Sequence, residues 1–269
     1  MSVRGLRRDS ENGGIKDDEQ SMKQTGEYRH PRNQQSSPAP LVYYATGSGG
    51  TTLDTGDGGG NPFASALIEA AGEKTLRLRN LATRLKKLTA AMSQGHQVTE
   101  CRGDTHLPDW QFSENSHLKR EERDALVLVV SDYSSSGTDM SLIGAARDER
   151  RIAAMLAQYG FSVDQGIGPR RHELIRAIAS FRTRSRGADI AIIYATGHGV
   201  ECDGMVYLLP GDYPIHEGFE KALLRNRAVS VTRIINAASA NAQNIVFFAG
   251  CRSHVSDIRT SGKADTTGS

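Results

Sequence analysis

Short runs of apolar residues alternate along the second half of the chain with segments whose apolar residues recur every three or four positions. The runs 125–130, 189–194 and 244–248 are almost wholly apolar, as in strands that are buried on both faces of a parallel sheet. The same pattern predicts shorter strands at 41–45, 161–163 and 205–209. These segments form the strand set of a predicted sheet.

Helical spacing separates these strands. Ile152, Met155, Leu156 and Tyr159 fall on one face of a helix, and Gly160 supplies a C-terminal stop. Helices are predicted at 62–72, 76–92, 147–159, 170–186 and 231–238. Strands that alternate with helices indicate right-handed βαβ units, so we predict an α/β fold with a mostly parallel sheet and helices on both faces.

Composition divides the chain into five parts. Residues 1–40 are nearly devoid of large aliphatic side chains, which predicts a disordered tail, and 253–269 are predicted to form a flexible tail. The segments 41–112 and 125–252 carry the helix and strand patterns. The polar residues 113–124 join them as a charged linker, which is also a candidate cleavage site.

Charge and cysteine content exclude several classes of protein. A net charge of +2 does not favour nucleic acid or an anionic membrane as partner, and no apolar run is long enough to span a bilayer. The three cysteines are an odd number at wide spacing, which fits neither a disulfide framework nor a zinc ribbon. We therefore expect a cytoplasmic protein with reduced thiols.

His198 and Cys251 stand out because each follows a predicted buried strand within a glycine-flanked turn. Ligands bind at this edge of open α/β sheets. A free thiol is mostly protonated at neutral pH, and an adjacent imidazole increases the reactive thiolate fraction. Backbone N–H groups at Gly199 and Cys251 are candidates to bind an oxyanion. The residues alone leave open a structural role for the pair.

The glycine-rich stretch 47–60 has a rival interpretation as a phosphate-binding loop of a flavodoxin-like nucleotide-binding domain. No Gly-Lys-Ser/Thr motif follows it, and the carboxylates of Asp54 and Asp57 would repel an anion. This alternative is therefore disfavoured.

Four motifs resemble, in family order, the large-subunit half of the caspase-like cysteine peptidases of the metacaspase and paracaspase type (peptidase C14). They are ALVLVVSDY, LIGAARDERRIAAMLAQYGF, ADIAIIYATGHGVECDGMVYLLPGD and NIVFFAGCRS. The resemblance implies a cysteine endopeptidase in which His198 and Cys251 form the catalytic dyad and a thioester is the intermediate. Its partner would be a peptide or protein substrate, and no cofactor is implied.

The earlier segment LVYYATGSGGTTLDTGDGGGNPFASALIEA resembles the small-subunit half, which in most family members follows the cysteine. The resemblance therefore implies a circularly permuted caspase-like fold, with 41–112 as the small-subunit half and 125–252 as the catalytic half. It predicts that strand 41–45 runs parallel to 244–248. It also implies that Tyr44, Ala45 and Thr46 flank the substrate groove and pair with an extended peptide.

The chain departs from the family pattern at the substrate pocket. Relatives recognise Arg or Lys before the scissile bond through two acidic side chains, and the matching positions here are Asp148 and Ala249. Loss of one carboxylate weakens the recognition of a basic residue. Asp148 could instead form a salt bridge on its helix. A catalytically weak interaction module is thus the alternative function.

Calcium activation is not supported, because Asp203 and Asp212 are isolated, and we expect no required metal.

Overall fold

A six-stranded, mostly parallel sheet forms the centre of the structure. The computed structural model describes residues 37–56, 58–103, 110–112, 121–136 and 140–256. The strands of this sheet are β1 (Leu41–Tyr44), β2 (Glu100–Arg102), β3 (Arg123–Val129), β4 (Ser162–Asp164), β5 (Ile190–Thr196) and β9 (Gln243–Phe248). Their order across the sheet is β2-β1-β9-β5-β3-β4, and β2 is antiparallel to β1 whereas the other neighbours are parallel.

A smaller sheet lies beyond the carboxyl end of β5. Its strands are β6 (Gly199–Cys202), β7 (Met205–Leu208), β8 (Val229–Ser230) and β10 (Ser253–His254), in the order β10-β6-β7-β8. β6 and β7 form an antiparallel hairpin whose turn residues Asp203 and Gly204 have φ angles of 50° and 74°. An Asp-Gly pair favours this left-handed turn.

Helices cover both faces of the central sheet, which confirms the predicted fold class. They are α1 (Pro62–Ala71), α2 (Leu78–Met92), α3 (Ile143–Gln158), α4 (Arg171–Ser185), α5 (Lys221–Arg227) and α6 (Val231–Ile235). β3 shows why its run is wholly apolar: Val127 packs into the core beneath α1–α3, and its neighbour Leu128 packs into the core beneath α4–α6. None of the helices in the described part of the chain is long and apolar enough to cross a membrane.

β1 lies against β9, so a strand from the first half of the chain completes the sheet beside the last strand of the second half. Tyr44 is in register with Phe248, and the rings of Tyr43 and Phe247 stack with centroids 5.2 Å apart. The predicted parallel pairing of these strands is confirmed. It brings the described parts of the loop that follows β1, residues 45–56 and 58–61 (called the 45–61 loop below), to the same sheet edge as Cys251.

Some element boundaries differ from the sequence prediction. α3 begins at Ile143, four residues before the predicted start. β10 occupies the start of the predicted C-terminal tail, because Ser253 and His254 pair with β6. At the other end, Ser37 donates a hydrogen bond to the Ala240 carbonyl at 2.7 Å, so the predicted N-terminal tail is anchored at this residue. Residues 1–36 and 257–269 of the predicted tails lie outside the described part, as do 113–120 of the predicted linker.

Two further elements were not predicted. β2 lies at a position where we predicted no strand, and α5 lies in a polar segment for which we predicted no helix. β2 forms through ladder hydrogen bonds to β1, and α5 buries mainly Leu224. Both depend on distant contacts that local periodicity does not show.

Candidate active site

His198 and Cys251 line one cavity at the carboxyl edge of the central sheet. β5 ends just before His198 and β9 ends just before Cys251, and the two strands are neighbours in the sheet. The cavity measures about 80 Å³. Its lining comprises Thr52, Leu53, Asp54, Asn61, Leu142, Ala145, Thr196, Gly197, His198, Ala249 and Cys251. The 45–61 loop, the start of α3 and the two strand ends thus enclose it.

The imidazole of His198 is held by a main-chain carbonyl. Its Nε2 lies 2.8 Å from the carbonyl oxygen of Met140. Because a carbonyl oxygen can only accept, this contact requires the proton on Nε2, which leaves the lone pair of the neutral ring on Nδ1. The arrangement therefore prepares Nδ1 to act as a base.

Tyr133 fixes the backbone around His198. The N–H of His198 donates to the Tyr133 hydroxyl at 2.8 Å, and that hydroxyl donates to the Leu209 carbonyl at 2.9 Å. Burial raises the pKa of Tyr133 above its ordinary value, so the phenol stays protonated and keeps both bonds. The rings of Tyr133 and His198 also touch, with centroids 4.5 Å apart.

The thiol of Cys251 contacts the 45–61 loop. Its Sγ lies 3.2 Å from the backbone nitrogen of Thr52 and 3.3 Å from the Thr52 hydroxyl oxygen. Within the described residues, no hydrogen bond joins Cys251 to His198, although both line the cavity. A thiol and a base thus share one space.

Gly199 allows the two chain segments to approach each other. A Cβ at this position would overlap the backbone carbonyl of Cys251, so any larger residue would push the segments apart. Gly199 itself pairs with Leu208 in the hairpin and does not line the cavity. Its role in binding an oxyanion stays a prediction.

Comparison with known families agrees with this geometry. The sequence profile described as the caspase domain of peptidase family C14 matches residues 122–267, more than half of the chain. The chain belongs to the caspase-domain family. This is a family of cysteine peptidases, so peptides or proteins are its substrate class. No curated protein sequence matches the chain significantly.

Three residues predicted to flank the substrate groove of the caspase domain are buried. Tyr44, Ala45 and Thr46 are each at most 5% exposed. Tyr44 is paired with Glu100 of β2 on one side and with Phe248 of β9 on the other. It therefore has no free edge for an extended peptide, contrary to our prediction for this residue. None of the three lines the cavity.

The carboxylate of Asp148 lies beneath the 45–61 loop. It is fully buried, accepts the Asn61 N–H at 2.9 Å and pairs with Arg151 at 2.9 Å. A Cβ at Gly60 would overlap it. Asp148 does not line the cavity, whereas Ala249, the other predicted pocket position, does. The structure therefore shows the salt bridge that we gave as the alternative for Asp148.

Asp54 is a pocket acid that the sequence analysis overlooked. Its two carboxylate oxygens accept the N–H groups of Gly144 and Ala145 at 2.8 and 3.0 Å. It thus caps the first turn of α3 from a distant loop, which explains the early start of that helix. The sequence offered one signal, the position of Asp54 in the glycine-rich stretch, but we considered its carboxylate only as a charge that would repel phosphate.

Arg252 is a second overlooked residue. Its side chain is fully buried, with Nε 3.1 Å from a carboxylate oxygen of Glu201 and an ion pair to Glu100. Its guanidinium lies 4.5 Å from the centre of the Tyr44 ring. Its N–H donates to the Gly50 carbonyl at 2.9 Å. The residue after Cys251 thus anchors the 45–61 loop.

We found no metal-binding cluster among the described residues: no group of three or more His, Cys, Asp or Glu side chains is placed to hold an ion. Asp203 pairs with Lys221, and Asp212 accepts the Arg171 N–H at 2.9 Å. Both carboxylates therefore serve local structure.

We expect the stability difference between wild type and Asp148→Asn to change with pH. Burial raises the pKa of Asp148 from 3.8 to about 6, although the Asn61 N–H and Arg151 act in the opposite direction. The folded protein therefore binds this proton more tightly than the unfolded chain. The stabilisation that protonation of Asp148 confers on the folded protein is complete below pH 3.8 and is lost as the pH rises through about 6.

Relative to the non-titrating amide of the variant, wild type should lose on the order of 3 kcal/mol of unfolding free energy between about pH 4 and pH 7. Urea denaturation across this range measures the difference. Glu149→Gln, which removes a surface carboxylate of the same helix, should show no comparable trend. A pH-independent difference for Asp148→Asn would contradict the raised pKa.

Proposed function

We propose that this caspase domain is a cysteine endopeptidase with His198 and Cys251 as its catalytic dyad. The observation that carries the proposal is their shared cavity at the ends of two adjacent parallel strands. Because the Met140 carbonyl engages Nε2 of His198, the lone pair of the neutral ring is on Nδ1. Within the described residues no hydrogen bond involves Nδ1 of His198, and the residue shares its cavity with a partly exposed thiol, as a base and its nucleophile require.

The chemistry follows from these atoms. Nδ1 of His198 takes the proton of the Cys251 thiol, and the sulfur attacks the carbonyl carbon of the scissile peptide bond. The N–H groups of Gly199 and Cys251 bind the oxyanion that forms. His198 then returns the proton to the leaving amine, which leaves a thioester. Water, activated by the same imidazole, hydrolyses the thioester and frees the thiol.

We further propose that the domain is a permuted, metacaspase-like arrangement. The support is that β1 and the 45–61 loop, from the segment that resembles a small subunit, complete the sheet and the cavity beside Cys251. A normal order would place this segment after the cysteine. Both orders build the same sheet, because domain termini lie at the surface.

The geometry favours Asp54, rather than Asp148, as the acidic side chain that recognises a basic residue before the scissile bond. Asp54 lines the cavity and Asp148 does not. A carboxylate has about four acceptor positions, and the N–H groups of α3 occupy two at Asp54. The remaining positions can accept a guanidinium or ammonium group. A preference for Arg or Lys is thus compatible with Ala249.

We expect Asp54→Asn to reduce kcat/KM for substrates with Arg or Lys before the scissile bond by about 10- to 100-fold. The amide can still accept one helix N–H, so the fold should persist. Turnover of a matched substrate with a neutral residue at that position should change little. Asp148→Asn is the control and should leave the preference intact. Equal losses on basic and neutral substrates would contradict a charge-reading role for Asp54.

The endopeptidase proposal is tested by covalent labelling. A peptide ending in an arginyl acyloxymethyl ketone should modify Cys251 stoichiometrically, as located by peptide mass spectrometry, and should stop hydrolysis of an arginyl fluorogenic substrate. Cys101 and Cys202 serve as internal controls, since the structure leaves both as free thiols. No selective labelling and no turnover by the folded protein would favour the interaction-module alternative.

A further inference from the structure

We propose that Thr52 is a thiolate-stabilising residue, which holds and activates the sulfur of Cys251 from the opposite wall of the cavity. The proposal rests on the cysteine peptidase function. Two groups of Thr52 that can donate lie near the sulfur, the backbone nitrogen at 3.2 Å and the hydroxyl oxygen at 3.3 Å, and its carbonyl oxygen lies farther away at 3.9 Å. These contacts with a candidate nucleophile set Thr52 apart from the other residues that line the cavity.

The three groups of Thr52 differ in what they can do. The carbonyl can only accept from the thiol, so its contact favours the neutral form, but at 3.9 Å it is the longest of the three. A backbone N–H can only donate, so its contact favours electron density on the sulfur. The hydroxyl can accept from the neutral thiol or donate to the thiolate, because it rotates freely about its C–O bond. When the thiol proton moves to Nδ1 of His198, the N–H and the hydroxyl of Thr52 both donate to the charged sulfur. Hydrogen bonds to the charged form favour that form.

The 45–61 loop holds Thr52 in this position before any substrate binds. The next residue, Leu53, donates its N–H to the buried Gln97 side chain at 3.1 Å. Asp54 is tied to α3 by two bonds, and on the other side Gly50 accepts the Arg252 N–H at 2.9 Å. The donors are therefore preorganised, so the charge develops without reorganisation of the loop.

Thr51 offers a matched control. It is exposed, and its hydroxyl lies 3.0 Å from Nε2 of His96 rather than near the sulfur. The two threonines are adjacent in the same loop and equal in size. Substitution of either by valine removes one hydroxyl and keeps the backbone donor, so only the hydroxyl's target differs.

The test compares Thr52→Val, Thr52→Ser and Thr51→Val. Alkylation of Cys251 by iodoacetamide at pH 7, followed by peptide mass spectrometry, reports thiolate reactivity without requiring hydrolysis. Thr52→Val should slow this alkylation about 5- to 20-fold, in line with the loss of a hydrogen bond to a charged group. It should lower kcat by a similar factor with little change in KM. Thr52→Ser should retain near wild-type rates, and Thr51→Val should change neither.

The proposal is overturned if Thr52→Val alkylates at the wild-type rate, or faster, which would make Thr52 a restraint on the nucleophile. It is also overturned if Thr52→Ser is as slow as Thr52→Val, since the hydroxyl would then not be the cause. Slow alkylation in a protein that hydrolyses no peptide supports the role of Thr52 and counts against the peptidase function. If Thr52→Val alkylates at the wild-type rate in a protein that hydrolyses peptides normally, the result counts against the role of Thr52 and supports the peptidase function.

Discussion

Cys251→Ala and His198→Ala should each reduce peptide hydrolysis by about 10³-fold or more while leaving the fold intact. In the proposed mechanism, Cys251 supplies the atom that attacks the peptide carbonyl, and no other described thiol lines the cavity. In the same mechanism, His198 supplies the base that creates the thiolate and the acid that protonates the leaving amine. Neither side chain is fully buried, so truncation to alanine leaves no large cavity in the core.

The measurement is the initial rate on a fluorogenic peptide with arginine before the scissile bond, together with the urea midpoint of each variant. Cys202→Ala is the control, because this cysteine is also only partly exposed but lies at the end of β6. The double variant should be no slower than the worse single variant, since the two side chains act as one unit. Unchanged hydrolysis in Cys251→Ala would remove the proposed mechanism.

The pattern of apolar residues was sufficient to predict the five parallel strands of the central sheet and the presence of helices on both of its faces. β3, β5 and β9 are buried on both faces, so their sequences are apolar without alternation and are recognisable without a structure. The chain order of strands and helices then implies parallel pairing. Because the carboxyl ends of parallel strands share one edge, His198 and Cys251 could be expected in one cleft.

The electrostatic partners around the site could not be predicted in this way. Asp54 and α3 are about 90 positions apart in sequence, and Arg252 meets Glu100 across 152 positions. Periodicity reports which face of an element is apolar, but it contains no information about which distant loop caps a helix. The same limit explains Asp148, whose burial is imposed by Gly60 and Asn61 of the 45–61 loop.

Arg252→Met should be the most destabilising of the substitutions considered, at about 3–5 kcal/mol of unfolding free energy. The guanidinium is fully buried between carboxylates from β2 and β6, so its removal leaves Glu201 buried without its cation. Methionine fills much of the same volume, which limits the packing term. Chemical denaturation measures the loss. Arg102→Met removes a half-exposed partner of the same Glu100 and should cost less than about 1 kcal/mol.

A second substitution separates charge from packing in this network. If the uncompensated carboxylate causes the loss, Glu201→Gln in the Arg252→Met background should recover part of the lost stability, although Glu201→Gln alone is destabilising. Ser48 would still have an acceptor at residue 201, because its hydroxyl bonds to that side chain at 2.8 Å. If the double variant is less stable than Arg252→Met, the contact with the Tyr44 ring and the loop anchoring dominate instead. Hydrolysis should follow the same order as stability, since the backbone and side chain of Arg252 hold the loop that places Thr52 and Asp54 beside Cys251.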